Sequence, residues 1–264
     1  MVIKKALASL ALLGAAATLL AGCSTPSTSN APAGSLRDSA TPTPTPKAAA
    51  IQPFNGGGYL GGNAKPMLPG GDSGKVSVVS QGPLLPNGTG SVSGTLLLAF
   101  RNNTSKAVSH VDFTGTATAN GKLVASGQSQ GTIPAQVQPG EPGFAYIYFE
   151  DSSSIPAAGV TYDFKVTTAA ADTSSYNTAP LTVGQASNNG TSIIGSAVNK
   201  TGKPLTGPYS VSIYCLNGNA PTDQITDYTS ENGDITAGAS VSFSTNLYGT
   251  SCDTYAVGVS GFFQ

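Results

Sequence analysis

The sequence predicts an all-β fold: two tandem β-sandwich domains behind a signal peptide and a disordered linker. Three observations lead there. Charged residues make up only 9% of the 264-residue chain, against roughly 25% in an ordinary soluble domain, and Gly, Ser, Thr, Ala and Asn fill the difference. From Lys75 onward, runs of alternating apolar and polar residues are separated by turn residues, with no amphipathic helix between them. Ahead of them an apolar N-terminal stretch is followed by a Thr/Pro-rich segment with hardly any large apolar residue, which cannot bury enough surface to offset its ordering entropy.

The N-terminal stretch comes first. Lys4 and Lys5 form a short positive region, and residues 6–20 are apolar or small except Ser9 and Thr18. That is the pattern of a secretory signal and is short for a membrane span of about 20 residues. Leu20-Ala21-Gly22-Cys23 closes it. The segment resembles a bacterial lipoprotein signal peptide, and those four residues match that family's lipobox. The resemblance implies removal of residues 1–22, with Cys23 as the first mature residue and its thiol carrying a diacylglyceryl group. Two acyl chains anchor stably where one holds marginally. The partner so implied is a lipid bilayer, and the location is extracytoplasmic, at a bacterial membrane. Loss of Lys4 and Lys5 takes the formal charge from −1 to −3.

Residues 23–74 are expected to be the linker. Thr41-Pro42-Thr43-Pro44-Thr45-Pro46 favours extended, semi-rigid chain. The Gly-rich part from 51 to 74 also reads as loop, with Phe54, Tyr59 and Leu60 as candidates to tuck against the first domain. Its Gly runs lack the Lys-Ser/Thr pair of a phosphate-binding loop.

The first domain is placed at 75–170, with strands at 75–81, 94–102, 108–119, 122–131, 143–150 and 160–167. The second is placed at 178–264, with strands at 181–186, 191–199, 209–216, 224–230, 240–247 and 254–263. Val111 and Phe113 fall on one face, with Asp112 and Thr114 on the other. Asn120-Gly121 and Asn217-Gly218 are hairpin signals. Asn199-Lys200-Thr201-Gly202-Lys203 echoes Asn102-Asn103-Thr104-Ser105-Lys106, and Thr236-Ala237-Gly238 echoes Gln138-Pro139-Gly140. The echoes indicate a divergent duplication whose inward faces fit only with a small slip. Each unit, with six or seven short strands, fits an immunoglobulin-like β-sandwich. The order of strands and turns resembles the FxLYD-type domains of bacterial lipoproteins over roughly 92–166 and 191–259. Phe113-Thr114-Gly115 and Val211-Ser212-Ile213-Tyr214 stand near the position of that family's Phe-x-Leu-Tyr-Asp string, which is itself missing from both units. The resemblance implies an interaction or scaffold module.

Three cysteines, Cys23, Cys215 and Cys252, leave one with a separate fate. Outside the cytoplasm Cys215 and Cys252 are expected to close as a disulfide. Free thiols are one alternative. A metal site is another, although neither cysteine belongs to a Cys-x-x-Cys pair and the lone His110 lies in the other unit. Ser109, His110 and Asp112 are strand neighbours and cannot face one another as a triad must, so His110 reads as a surface or turn residue. Glu150, Asp151 and Asp163 are a candidate carboxylate group. Asp223, Asp227, Glu231 and Asp234 surround a turn that could hold calcium weakly, without EF-hand spacing. Tyr228, Tyr248 and Tyr255 could supply a modest glycan-binding face. Asn-x-Thr/Ser triplets at Asn87, Asn102, Asn103, Asn189 and Asn199 are expected by chance in this composition.

No basic stripe offers nucleic acid a footing. No catalytic, cofactor-binding or metal residue is assigned. The expected function is a non-enzymatic, membrane-anchored module that binds another cell-envelope protein or polymer, with a small-ligand or glycan-binding lipoprotein as the alternative.

Overall fold

A computed structural model describes residues 49–52, 54 and 58–264. The signal segment, Cys23 and the first part of the linker lie outside the described residues. Among the described residues there is no α-helix. The strands are β1 (Leu60–Gly62), β2 (Val76–Pro86), β3 (Gly94–Asn102), β4 (Val108–Ala119), β5 (Lys122–Ile133), β6 (Gln136–Val137), β7 (Pro142–Phe149), β8 (Val160–Ala170), β9 (Thr178–Asn188), β10 (Ser192–Val198), β11 (Leu205–Asn217), β12 (Ala220–Tyr228), β13 (Ser240–Asn246) and β14 (Tyr255–Phe263). Every strand expected from the alternation is present, and β3 and β4 begin and end where the sequence predicts. The short strands β1 and β6 carry no alternation and are not predicted.

The strands pair antiparallel in two seven-stranded sheets. The first runs β2-β3-β7-β5-β4-β6, with β8 also on β4. The second runs β12-β11-β14-β9-β10-β13, with β1 also on β14. In the first half (β2–β8) the strand β5 pairs with β4 up to Gln128 and with β7 from Gln128 to Ile133. The sheet therefore folds over a core of Leu96, Leu98, Phe100, Phe113, Ile147 and Phe149. In the second half (β9–β14) it is β9 that changes partner. Thr178–Leu181 pairs with β14 and the remainder with β10, around Tyr209, Val211, Ile213, Phe243 and Val257. The other pairings correspond one to one: β2–β3 with β9–β10, β3–β7 with β10–β13, β4–β5 with β11–β12, and β4–β8 with β11–β14.

The echoing Asn segments are one device built twice. Asn102 is fully buried. Its Nδ2 donates to Lys106 O (2.8 Å) and Val137 O (2.9 Å), and its Oδ1 accepts from Thr104 N and Oγ1. Asn199, equally buried, donates to Lys203 O and Thr236 O and accepts from Thr201 N and Oγ1. The turn glycines dock identically, Gly140 N on Asn102 O and Gly238 N on Asn199 O, both at 2.7 Å. A buried amide needs all these partners, so neither Asn is open to modification. The slip between the two halves has a local cause. The second carries an irregularity between Thr206 and Ser210, and its hairpin turns over Gly218-Asn219, between paired Asn217 and Ala220, where the first turns over Asn120-Gly121.

A third core joins the halves. In β3, Leu96-Leu97-Leu98-Ala99-Phe100 is buried throughout, because alternate residues face opposite ways and both faces are covered. Leu97 and Ala99, with Phe144 of β7, meet Tyr214 and Leu216 of β11 and Ala256 of β14. Phe144 stacks on Tyr214 with ring centroids 5.3 Å apart. Burying each large side chain of this kind contributes roughly 1.5–3 kcal/mol.

The end of the expected linker is part of this joint, which corrects the loop reading of its last residues. β1 pairs with Ala256–Gly258, the stretch of β14 next to where β9 turns away. Leu60, Ala64 and Leu68 are buried in the third core. The glycines of β1 are required. A Cβ on Gly61 would stand 2.3 Å from Val183 Cγ1, and Gly62 has φ +103 with Tyr255 O against it. Asn63 Nδ2 donates to Asp253 O, Asn63 Oδ1 accepts from Tyr255 N, and Met67 exchanges two hydrogen bonds with the Asn219 side chain. Phe54 meets Phe144 edge-on, as tucking against the first half requires, whereas Leu60 goes to the second.

Candidate functional site: a polar cleft between the two sheets

Beside the third core the facing sheets part to leave a cleft of about 360 Å³. Its floor follows from the period of two. Tyr209, Val211 and Ile213 point into the second core, so Ser210, Ser212 and Tyr214 must point the other way, toward the first half. Ser260 of β14 and Gln224 and Thr226 of β12 extend the floor. Ser210 and Ser260 share a hydroxyl contact at 2.9 Å, and Gln224 Nε2 donates to Thr226 Oγ1.

The opposite wall comes from irregular backbone. The β4–β8 register shifts between Ser109 and Asp112, and His110 takes φ 46, a region non-glycine residues seldom enter. This bulge lets Val108 and Val111 both face the core and sends His110 and Asp112 outward. A second shift, between Ser129 and Thr132 of β5, carries Gly131 at φ 117. Gln130, Thr132 and Tyr146 complete the wall.

The electrostatics of the cleft are mild. Burial, with Tyr146 nearby as a smaller cause, pushes the Tyr214 phenol far up. Burial also raises Tyr146. Both rings are neutral phenols at physiological pH. His110 and Asp112 are the titratable side chains on the rim, and among the described residues no Lys or Arg lines the cleft. The cleft offers many uncharged donors and acceptors and no concentrated charge.

The other candidates are dispersed. Cys215 and Cys252 form a disulfide with Cα atoms 5.0 Å apart, buried in the second core. Cys23 lies outside the described residues. Ser109 Oγ donates to Ala170 O at 2.9 Å, so in its 3.1 Å contact with His110 Nδ1 the imidazole is the donor. A general base would have to accept there. Asp151 closes a turn on Ser153 N and Oγ, and these bonds lower its pKa. Glu150 borders a groove with Gln128 and Tyr148, while Asp163 stands on β8 opposite Thr116. In the acidic turn, Asp223 accepts from Gln224 N and Asp227 from Tyr228 N. Glu231 accepts from Ser242 N (2.7 Å) and Ser242 Oγ (3.0 Å) on the outer edge of β13. Among the described residues no three His, Cys, Asp or Glu side chains gather closely enough to hold a metal. The tyrosine face does not form either. Tyr255 is buried, Tyr248 sits on the β13–β14 turn, and Tyr228 is at the far end of β12, opposite Ser210.

Two features escaped the sequence. The cleft residues are ordinary outward strand positions, and only Tyr214, an aromatic where a polar residue belongs, signals that this face is covered. Arg101 is the other. It is 3% exposed and donates to four main-chain carbonyls, Pro69 (2.8 Å), Leu68 (2.9 Å), Gly140 (2.6 Å) and Gln52 (3.2 Å). Burial lowers its pKa.

Comparison of the chain with protein-family models finds no match, and comparison with curated proteins finds none.

Proposed function

We propose that the chain is a membrane-anchored cell-envelope lipoprotein and a non-enzymatic binding module. Residues 1–22 are its signal peptide, Cys23 carries the lipid, and the Thr/Pro-rich segment holds the folded part away from the bilayer. Each half is an immunoglobulin-like sandwich, a reading supported by the corresponding strand pairings and the repeated Asn device. The observation that carries the proposal is the third core. It joins two surfaces that would otherwise move independently into one rigid face, with a cleft of mostly uncharged polar groups beside the joint. Such a body suits recognition of a partner in the cell envelope. The second reading, a small-ligand or glycan-binding lipoprotein, draws on the chemistry of the cleft.

Two measurements test the proposal. Cys23→Ala should move the protein from the membrane to the soluble fraction; retention in the membrane would overturn the lipid anchor. Crosslinking in whole cells, followed by isolation from solubilised envelope, should enrich one protein or polymer over a control with an unrelated anchored domain. No enrichment would count against the scaffold reading.

A further inference from the structure

We propose that the cleft between the sheets is a binding site for a neutral saccharide of one or two rings. This rests on reading the chain as a binding module, and not on the lipid anchor.

The chemistry of the lining selects the ligand. Ser210, Ser212, Gln224, Thr226 and Gln130 carry groups that can both donate and accept. A sugar ring presents the same pair of capacities at each hydroxyl. An anionic ligand would need Lys, Arg or a cluster of main-chain N–H groups to replace its hydration; among the described residues no Lys or Arg lines this cleft, and the Asp112 carboxylate does. An apolar ligand would leave these hydroxyls and amides without water or partner, at a cost. Asp112 is a single carboxylate on the rim, while the floor is uncharged, so the lining favours a ligand that is small, uncharged and rich in hydroxyls.

Size and rigidity agree. A volume of about 360 Å³ lies at the small end of ligand sites, roughly 300–1,000 Å³. The floor residues sit on β11, β12 and β14, paired with one another along their length and tied at one end by the Cys215–Cys252 disulfide. Groups held on strands keep their spacing, so little ordering entropy is lost on binding. The wall supplies Tyr146, half-buried on β7, whose ring can cover the apolar C–H face of a sugar. The bulge at His110 and the shift at Gly131 bring two polar edges toward the floor, and bulges that re-aim side chains recur beside binding sites.

The test is saturation-transfer NMR on the full chain in a detergent without a sugar headgroup. The neutral probes are glucose, N-acetylglucosamine and their β-1,4-linked dimers. Glucuronic acid and glucose 6-phosphate are the matched anionic probes. Transfer to at least one neutral probe is expected, with roughly tenfold weaker binding of its anionic counterpart. Thr226→Ala removes one hydroxyl without adding bulk, and Ser212→Leu fills the floor. Each should weaken binding about tenfold, as expected for one or two neutral hydrogen bonds. Thermal melting of both variants reports whether the fold is intact, and Thr226→Ala serves if Ser212→Leu unfolds. No transfer to any neutral probe overturns the proposal, as does binding unaffected by Thr226→Ala or equal binding of the anionic probes. An envelope protein captured equally well by these variants, with no sugar bound, would overturn the saccharide site and leave the binding-module reading standing.

Discussion

Replacing Arg101 with Met keeps most of the apolar stem and removes the guanidinium. In the folded protein that group is almost sealed from water and donates to the carbonyls of Gln52, Leu68, Pro69 and Gly140. Three of these belong to the segment ahead of β2 and the fourth to the turn before β7, so one side chain pins the N-terminal strap to the first half. Four bonds to a charged donor, taken at the low end of roughly 1.5 kcal/mol net each because two of the acceptors lie near water, sum to about 6 kcal/mol. Pro69 is exposed and Gln52 half-exposed, so water re-solvates their carbonyls in the variant. Release of a buried cation from its desolvation cost lowers the figure further. The expected loss is about 3–4 kcal/mol. Urea unfolding followed by circular dichroism measures it. Hydrogen exchange at Ala64, whose N–H donates to Tyr255 O, and at Val183, whose N–H donates to Gly58 O, reports whether the strap lets go. A loss under about 1 kcal/mol, with exchange at both amides unchanged, would refute the view that Arg101 is the pin.

Two further predictions concern polar groups of β13 and its edge. Thr245 Oγ1 is buried on the inner face of β13 with no hydrogen-bond partner among the described residues, so Thr245→Val, of nearly the same shape, should raise stability by about 1 kcal/mol in the same unfolding assay; destabilisation would mean the hydroxyl has a partner in solution. The hydrogen bond from Ser242 N, foremost, lowers the pKa of Glu231. A carboxylate whose folded pKa is depressed contributes stability above its unfolded pKa and loses it as pH falls through the folded one. Wild type should therefore melt above Glu231→Gln at neutral pH, and the gap should close as pH drops below the ordinary carboxylate range. A gap constant with pH would show that the carboxylate charge is not what holds the β13 edge.

Much of the fold could be read from period and punctuation. Val111, Asp112 and Phe113 alternate as expected, Asn120-Gly121 turns its hairpin with both residues at positive φ, and the duplicated Asn motifs proved to be duplicated hydrogen bonds. Misreadings occurred where a residue's role depends on a distant surface. Gly61-Gly62 reads as loop because nothing nearby says that Val183 and the Tyr255 carbonyl will press against it. The run Leu96–Phe100 reads as one more strand, although five buried residues in succession mean a strand covered on both faces. That run, with Tyr214, was the available signal for the joint between the halves. The cleft left a fainter trace, because Ser210, Ser212 and Thr226 are residues any solvated strand would carry.

The differing strand pairings of the two halves explain why the joint is rigid. In the first half β5 changes partner, and β14's counterpart, β8, pairs with β4 alone. In the second half β9 changes partner, and leaves part of β14 to be paired by β1. β1 lies ahead of the first half in the chain, so the polypeptide leaves the second sheet, builds the whole first half, and returns. To swing apart, the halves would have to break the β1–β14 ladder, the Asn63 and Met67–Asn219 hydrogen bonds and the third core together. A two-domain chain with only a linker between its parts could open its cleft by hinging. Here these ties hold the two walls together, and in the proposed saccharide site selectivity then rests on the groups already in place on β11, β12 and β14 and on the bulged wall opposite.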